Sequence, residues 1–150
     1  MTFEPADPSF ESRVRDSFTR QRMMATLGAT LERVEPGEIE IRLPYREELT
    51  QQHGFLHAGA VATIVDSACG YAAFSLMRPD TAVLSVEYKV NLMAPAKGER
   101  VEAIGRVLRP GRTITSCQGD AYAIDGDERR HVVTMLATVV CLEAREGRVD

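Results

Sequence analysis

Cysteine is scarce in this chain: three in 150 residues, Cys69, Cys117 and Cys141. Their number is odd, their spacing fits no zinc motif, and each sits in an apolar or strand-like stretch. This argues against a disulfide framework or a structural metal and for free, buried thiols in a reducing compartment. Excess positive charge is also missing, with a formal net charge of −4 and a sequence pI of about 5.4. Without a basic field there is no reason to expect nucleic acid as a partner. The first residues, Met-Thr-Phe-Glu-Pro-Ala-Asp, contain no apolar segment of the signal-peptide kind, so a cytoplasmic protein is expected. No apolar run is long and clean enough for a membrane span. The longest, residues 58–77, is interrupted by Asp66 and rich in Gly, Ser and Ala, and reads as a buried helix. Repeats, low-complexity segments and interdomain linkers are absent too.

What is present is an ordinary globular balance: 44% hydrophobic residues and a mean hydropathy of −0.18. At this length one domain over 1–150 is expected, large enough to hold a core without covalent staples. Residues 1–24 read as an N-terminal helical segment, 25–143 as the core and 144–150 as a charged tail. Within residues 8–27, Phe10, Val14, Phe18 and Met24 mark a helix over part of the core. Residues 28–35 and 38–43 form a hairpin across Pro36-Gly37, the second arm alternating Ile39, Ile41, Leu43 with Glu38, Glu40, Arg42. The apolar helix from Ala58 ends at Arg78-Pro79-Asp80, because proline disfavours a helical residue before it. Residues 82–93 alternate, with Leu84, Val86, Tyr88, Val90 and Leu92 on one side and Ser85, Glu87, Lys89 and Asn91 on the other. Strands over 99–109, 112–124 and 129–143 follow, joined at Pro110-Gly111 and Asp125-Gly126-Asp127. The order of elements predicts an α+β fold: an N-terminal helix, then one long central helix buried on an antiparallel sheet. The alanines and glycines of that helix permit close packing.

Two features carry chemistry. Asp66 sits among Ile64, Val65, Ala68 and Cys69, where the pattern calls for a core residue. Such an acid is either turned toward solvent or hydrogen-bonded for structure, or it is a half-desolvated general base or nucleophile. His57-Ala58-Gly59 opens the same helix, where the first backbone N–H groups lack intrahelical partners and the helix dipole is positive. The segment either makes a tight turn or polarises a carbonyl oxygen. Ala58 and Asp66 are eight residues apart, roughly 12 Å along a helix. One carbonyl cannot touch both within a chain. Joint action therefore requires a two-fold dimer with antiparallel central helices.

The stretch Gly54-Phe55-Leu56-His57-Ala58-Gly59, with Asp66 seven residues beyond Gly59, resembles the hot-dog-fold acyl-CoA thioesterases of the phenylacetate-degradation type. Leu84-Ser85-Val86-Glu87-Tyr88, the Asn91–Glu99 turn and Arg109-Pro110-Gly111-Arg112-Thr113 resemble the strand, turn and hairpin that follow in that family. The resemblance covers about residues 25–143. It implies a helix wrapped by an antiparallel sheet, and hydrolysis of an acyl-CoA to a carboxylic acid and free coenzyme A. By resemblance Asp66 activates water or attacks the thioester, and the Ala58 N–H polarises the carbonyl. Gln51 orients water, Ser85 assists Asp66, and His57 and Gly59 shape the loop. The pattern departs from the family at Ala58, where glycine is usual, and at Gln51, where asparagine is common; Gln52 is the alternative water-orienting residue.

The resemblance also implies a homo-oligomer, a dimer or a dimer of dimers, and neither metal nor redox cofactor. Coenzyme A phosphates would need local cations. Lys97, Arg100, Arg109 and Arg112 lie near strand ends and are either solvated charges or coenzyme A ligands. Tyr71, Phe74, Met77 and Tyr88 read as core first and acyl-pocket lining second. Two other functions fit the same fold. One is a non-catalytic acyl-CoA-binding or regulatory module. The other is an enoyl-CoA hydratase or dehydratase, which uses an Asp/His pair at the helix start; the nine-residue gap between His57 and Asp66 argues against it.

Overall fold

A computed structural model describes residues 3–143, so the predicted tail at 144–150 lies outside the described residues. The predicted N-terminal helix is two helices, α1 (Phe10–Arg20) and α2 (Arg22–Leu27). The break falls at Gln21, which is extended with φ −77° and ψ 97°. The reason is angular. Phe18 and Met24 are both buried, yet six residues at 3.6 per turn would put them on different helix faces. Breaking at Gln21 turns both inward.

Strands β1 (Thr30–Glu35) and β2 (Glu38–Pro44) form the expected hairpin, with Gly37 at φ 78° in the turn. A loop containing a single 3₁₀ turn at Glu47–Leu49 leads to α3 (Ala58–Phe74). The helix ends before the predicted Met77. Ser75 stops it: its hydroxyl donates to the Ala72 carbonyl at 2.7 Å and accepts the Gly37 N–H at 2.8 Å. Arg13 closes the same end by donating to the carbonyls of Phe74, Met77 and Arg78 at 3.3, 2.7 and 2.9 Å.

Four long strands complete the chain: β3 (Thr81–Leu92), β4 (Arg100–Arg109), β5 (Ile114–Asp125) and β6 (Glu128–Glu143). They make one six-stranded antiparallel sheet in the order β1-β2-β4-β5-β6-β3. Its inner face carries Ile39, Ile41, Leu43, Val101, Ala103, Met135 and Val139, all buried, and α3 lies across them. The close approach of helix to sheet is made at two glycines as well as at the small residues of α3. Gly105 and Gly119 face each other across β4 and β5. A Cβ on Gly105 would stand 2.2 Å from the Ala68 backbone carbon, and one on Gly119 would stand 2.4 Å from Val65. These contacts set the depth at which Asp66 is held.

β3 departs from its predicted alternation. A bulge between Ser85 and Glu87 inserts one residue and swaps the faces. Leu84 pairs with Val140 on the outward face. Beyond the bulge, Tyr88, Val90 and Leu92 pair with the buried Ala137, Met135 and Val133, and so share the inner face with Ser85. β3 is also the sheet edge, and Leu84, Val86, Tyr88 and Leu92 are about half exposed there, at 52%, 53%, 47% and 55%.

Candidate active site

Asp66 lies on the third turn of α3 and is half-buried. Ser85, on the inner face of β3 just before the bulge, donates its hydroxyl to Asp66 Oδ1 at 2.7 Å. Pairing with the buried Val139 turns Ser85 inward, and the bulge after it brings Tyr88, Val90 and Leu92 to the same face. The carboxylate opens on a cavity of about 380 Å³, whose wall includes Ser17, Gln21, Ser67, Gly70 and Tyr71. Ser17 and Gln21 escaped the sequence reading. They belong to α1 and to the helix break, more than forty positions upstream of Asp66, and no local motif marks them.

The helix start is organised by His57, the N-cap residue. Its backbone N–H donates to the Leu49 carbonyl at 2.8 Å, and its carbonyl accepts from Ala60 and Val61 at 3.0 and 3.2 Å. Its ring Nδ1 accepts the Gly59 N–H at 2.9 Å. These bonds use the first amides of α3 with one exception. The Ala58 N–H donates to no acceptor among the described residues. Ala58 borders a second cavity, of about 440 Å³, together with Gln51, Phe55, Val61, Leu92 and Met93. Gln51 is folded into the loop: its N–H donates to the Phe55 carbonyl at 2.9 Å, its carbonyl accepts from Gly54 at 3.0 Å, and its side-chain oxygen accepts the His53 N–H. Gln52 is exposed.

The predicted residues therefore fall into two groups. Asp66 and Ser85 meet at one cavity, while Gln51 and Ala58 meet at another, with His57 and Gly59 bracing that end; the two cavities have no lining residue in common. The four cations do not form one cluster within a chain. Lys97 follows Ala96, which lines the loop cavity. Arg100 is engaged by Glu102 at 2.9 Å and Glu99 at 3.4 Å. Arg109 and Arg112 stand at the other end of β4, roughly 30 Å away at 3.3 Å per residue. Phe74 and Met77 are core, Tyr71 is buried yet borders the acid cavity, and Tyr88 is exposed.

Burial raises the thiol of Cys69 well above its ordinary value and pushes that of Cys117 up to about 12. Neither is poised as a nucleophile. Among the described residues no three His, Cys, Asp or Glu side chains stand close enough to hold a metal, and no helix is long and apolar enough to cross a membrane.

Comparison with known proteins places this arrangement. Residues 53–129 match the model of the thioesterase superfamily. The crystal structure of a thioesterase family protein from Silicibacter pomeroyi is 53% identical, with a TM-score of 0.89 over 90% of this chain and 99% of that one. Human acyl-coenzyme A thioesterase 13 is 35% identical over 86 residues, 57% of this chain; the match spans 61% of the human protein, less than two thirds of its length. The PaaI protein of the E. coli phenylacetic acid degradation operon is only 12% identical, but shares the fold with a TM-score of 0.82 over 93% of this chain and 97% of its own. The long helix and the antiparallel sheet that wraps it are the fold these thioesterases share, and the chain belongs to the thioesterase superfamily.

Proposed function

We propose that the protein is an acyl-CoA thioesterase whose site is completed by a second copy of the chain. The observation that carries this reading is that Asp66 and Ala58, whose amide donates to no acceptor among the described residues, line two different cavities. Roughly 12 Å of helix separates them. A two-fold dimer with antiparallel α3 helices brings Asp66 of one chain to the Ala58 N–H of its partner. The exposed edge of β3, with its half-exposed Leu84, Val86, Tyr88 and Leu92, is the surface on which such a partner would pair and bury apolar area.

In this site Asp66 takes a proton from water as the water oxygen attacks the thioester carbon, or attacks that carbon itself to form an anhydride that water then opens. Either route builds negative charge on the carbonyl oxygen, and the partner's Ala58 N–H at the positive helix end stabilises it. Collapse breaks the carbon–sulfur bond. The thiolate of coenzyme A leaves and takes up a proton, and the acyl group ends as a carboxylic acid. Ser85 holds the Asp66 carboxylate in register through its hydroxyl. Lys97, beside the loop cavity, supplies charge for the phosphates of coenzyme A. Arg100, Arg109 and Arg112 join it only where more than one chain surrounds the ligand.

The test is thiol release from a panel of acyl-CoAs by wild type and Asp66→Asn, with the mass of each measured by light scattering. We expect kcat to fall on the order of 10²-fold or more in the variant with a modest change in KM. Binding of acyl-CoA without turnover by the wild type identifies a non-catalytic module instead. Turnover by a protein that stays monomeric removes the shared site.

A further inference from the structure

Two polar residues in the wall of the Asp66-side cavity, Ser17 and Gln21, come from outside the matched 53–129 segment. Gln21, at the break between α1 and α2, turns its carboxamide to α3, where the Ser67 hydroxyl donates to Oε1 at 3.2 Å. The carboxamide nitrogen, with two donor hydrogens, meets no acceptor among the described residues. Beside it the Ser17 and Tyr71 hydroxyl oxygens lie 3.3 Å apart. Tyr71 is 5% exposed and its ring is fixed by Phe18 and Phe74, at centroid distances of 6.0 and 6.4 Å. It follows Asp66 by five residues, roughly 7.5 Å along the helix. Gly70 lies between them, and where its Cβ would stand there is open space within 4 Å. The other cavity differs in kind, being bordered by Phe55, Leu56, Val61, Leu92 and Met93.

We infer that the Asp66-side cavity holds the acyl group, and that it selects an acyl chain bearing a hydroxyl or keto oxygen several carbons from the thioester. Gln21 and the Ser17–Tyr71 hydroxyl pair are the groups that bind that oxygen. This rests on the thioesterase reading and narrows its substrate class. Lys97, on the loop side, places coenzyme A in the other direction and leaves this cavity for the tail. An unsubstituted chain entering here strips water from the Gln21 carboxamide nitrogen and returns no hydrogen bond to it. A chain with an oxygen at the right depth accepts from that nitrogen and joins the hydrogen-bonded Ser17–Tyr71 pair. Gln21 and Ser17 are therefore specificity-determining, and Gly70 leaves the tail room to pass.

The experiment compares ω-hydroxyhexanoyl-CoA with hexanoyl-CoA on the full chain. Wild type should favour the hydroxylated substrate in kcat/KM by about tenfold or more. Gln21→Leu should erase most of that preference, lowering kcat/KM for ω-hydroxyhexanoyl-CoA about tenfold more than for hexanoyl-CoA. Tyr71→Phe keeps the ring packing, removes only the hydroxyl, and should shift the ratio in the same direction, so the inference stays testable if Gln21→Leu does not fold. Equal turnover of the two substrates by wild type overturns the inference while leaving thioesterase activity intact. So does an equal loss on both substrates in the variants, which marks a coenzyme A contact or a structural role. Should wild type hydrolyse neither thioester, the catalytic reading fails by itself, and the ratio of dissociation constants by calorimetry decides the pocket: equal affinities overturn it, and tighter binding of the hydroxylated thioester supports it.

Discussion

The imidazole of His57 accepts the amide hydrogen of Gly59 at 2.9 Å, and so leaves the amide of Ala58 as the free donor at the start of α3. This bond sorts the adjacent amides: one braces the loop, the other stays without an acceptor among the described residues, in a residue that lines the loop cavity.

Ala58→Pro isolates the free amide. Ala58 is the first helical residue, where proline is well tolerated, and His57 already has the extended φ of −61° and ψ of 135° that a following proline prefers. The substitution deletes the N–H and leaves the helix. We expect the melting temperature to hold within a few degrees while kcat falls roughly 10²–10³-fold. Turnover at the wild-type rate in a folded Ala58→Pro protein would remove the amide from the mechanism.

Two glycine-to-alanine changes should act with opposite sign. At Gly105 the new Cβ would meet Ala68 and Cys69 backbone at 2.2–2.5 Å, so α3 must lift from the sheet, at a cost of about 1–3 kcal/mol or more. At Gly70, mid-helix, nothing stands within 4 Å of the new methyl. There alanine should stabilise by roughly 0.5–1 kcal/mol, since glycine is the poorer helix former. The gained methyl enters the acid-side cavity, so turnover of bulky acyl groups should drop. Chemical denaturation of both variants measures the first pair of effects, and the substrate panel the second.

Acid stability should depend on Glu38. Burial by itself would raise its pKa, but bonds from Arg33 and Arg106, the latter at 2.6 Å, outweigh this and hold the carboxyl below its ordinary 4.5. A depressed folded value means the stabilisation is complete above about 4.5 and fades as the pH falls through the lower folded value. Glu38→Gln should be less stable than wild type at neutral pH, by under about 1 kcal/mol because the pairs are partly exposed. The gap should close as the pH is lowered below that window. Melting curves across pH check this, and a gap that does not change with pH would contradict it.

Thiol titration should divide the cysteines. Cys69 and Cys117 are buried with raised pKa values, Cys117 to about 12, while Cys141 is only half-buried. A disulfide reagent at mildly alkaline pH should modify Cys141 in the native protein, and the other two only after denaturation. Rapid reaction of all three in the folded state would contradict the packing.

Much of this protein was legible in the sequence because it is local. The hairpin at Pro36-Gly37, the start of α3 at Ala58, the out-of-place acid Asp66 and the turn at Asp125-Gly126-Asp127 each follow from the residues within a few positions. The eight-residue spacing of Ala58 and Asp66 already put them too far apart to reach one carbonyl within a chain. The tertiary structure decided what depends on distant residues. The break at Gln21 arises because Phe18 and Met24 must both reach one core, and it brings Ser17 and Gln21 to a cavity that no motif near Asp66 announces. The bulge after Ser85 reverses the predicted faces of β3, because the pairing partner β6, far along the chain, sets the register. Gly105 and Gly119 have meaning only when α3 lies on them. Periodicity records which residues avoid water, a property each residue carries by itself; which surfaces then meet, and what cavities remain between them, depends on contacts across the whole chain.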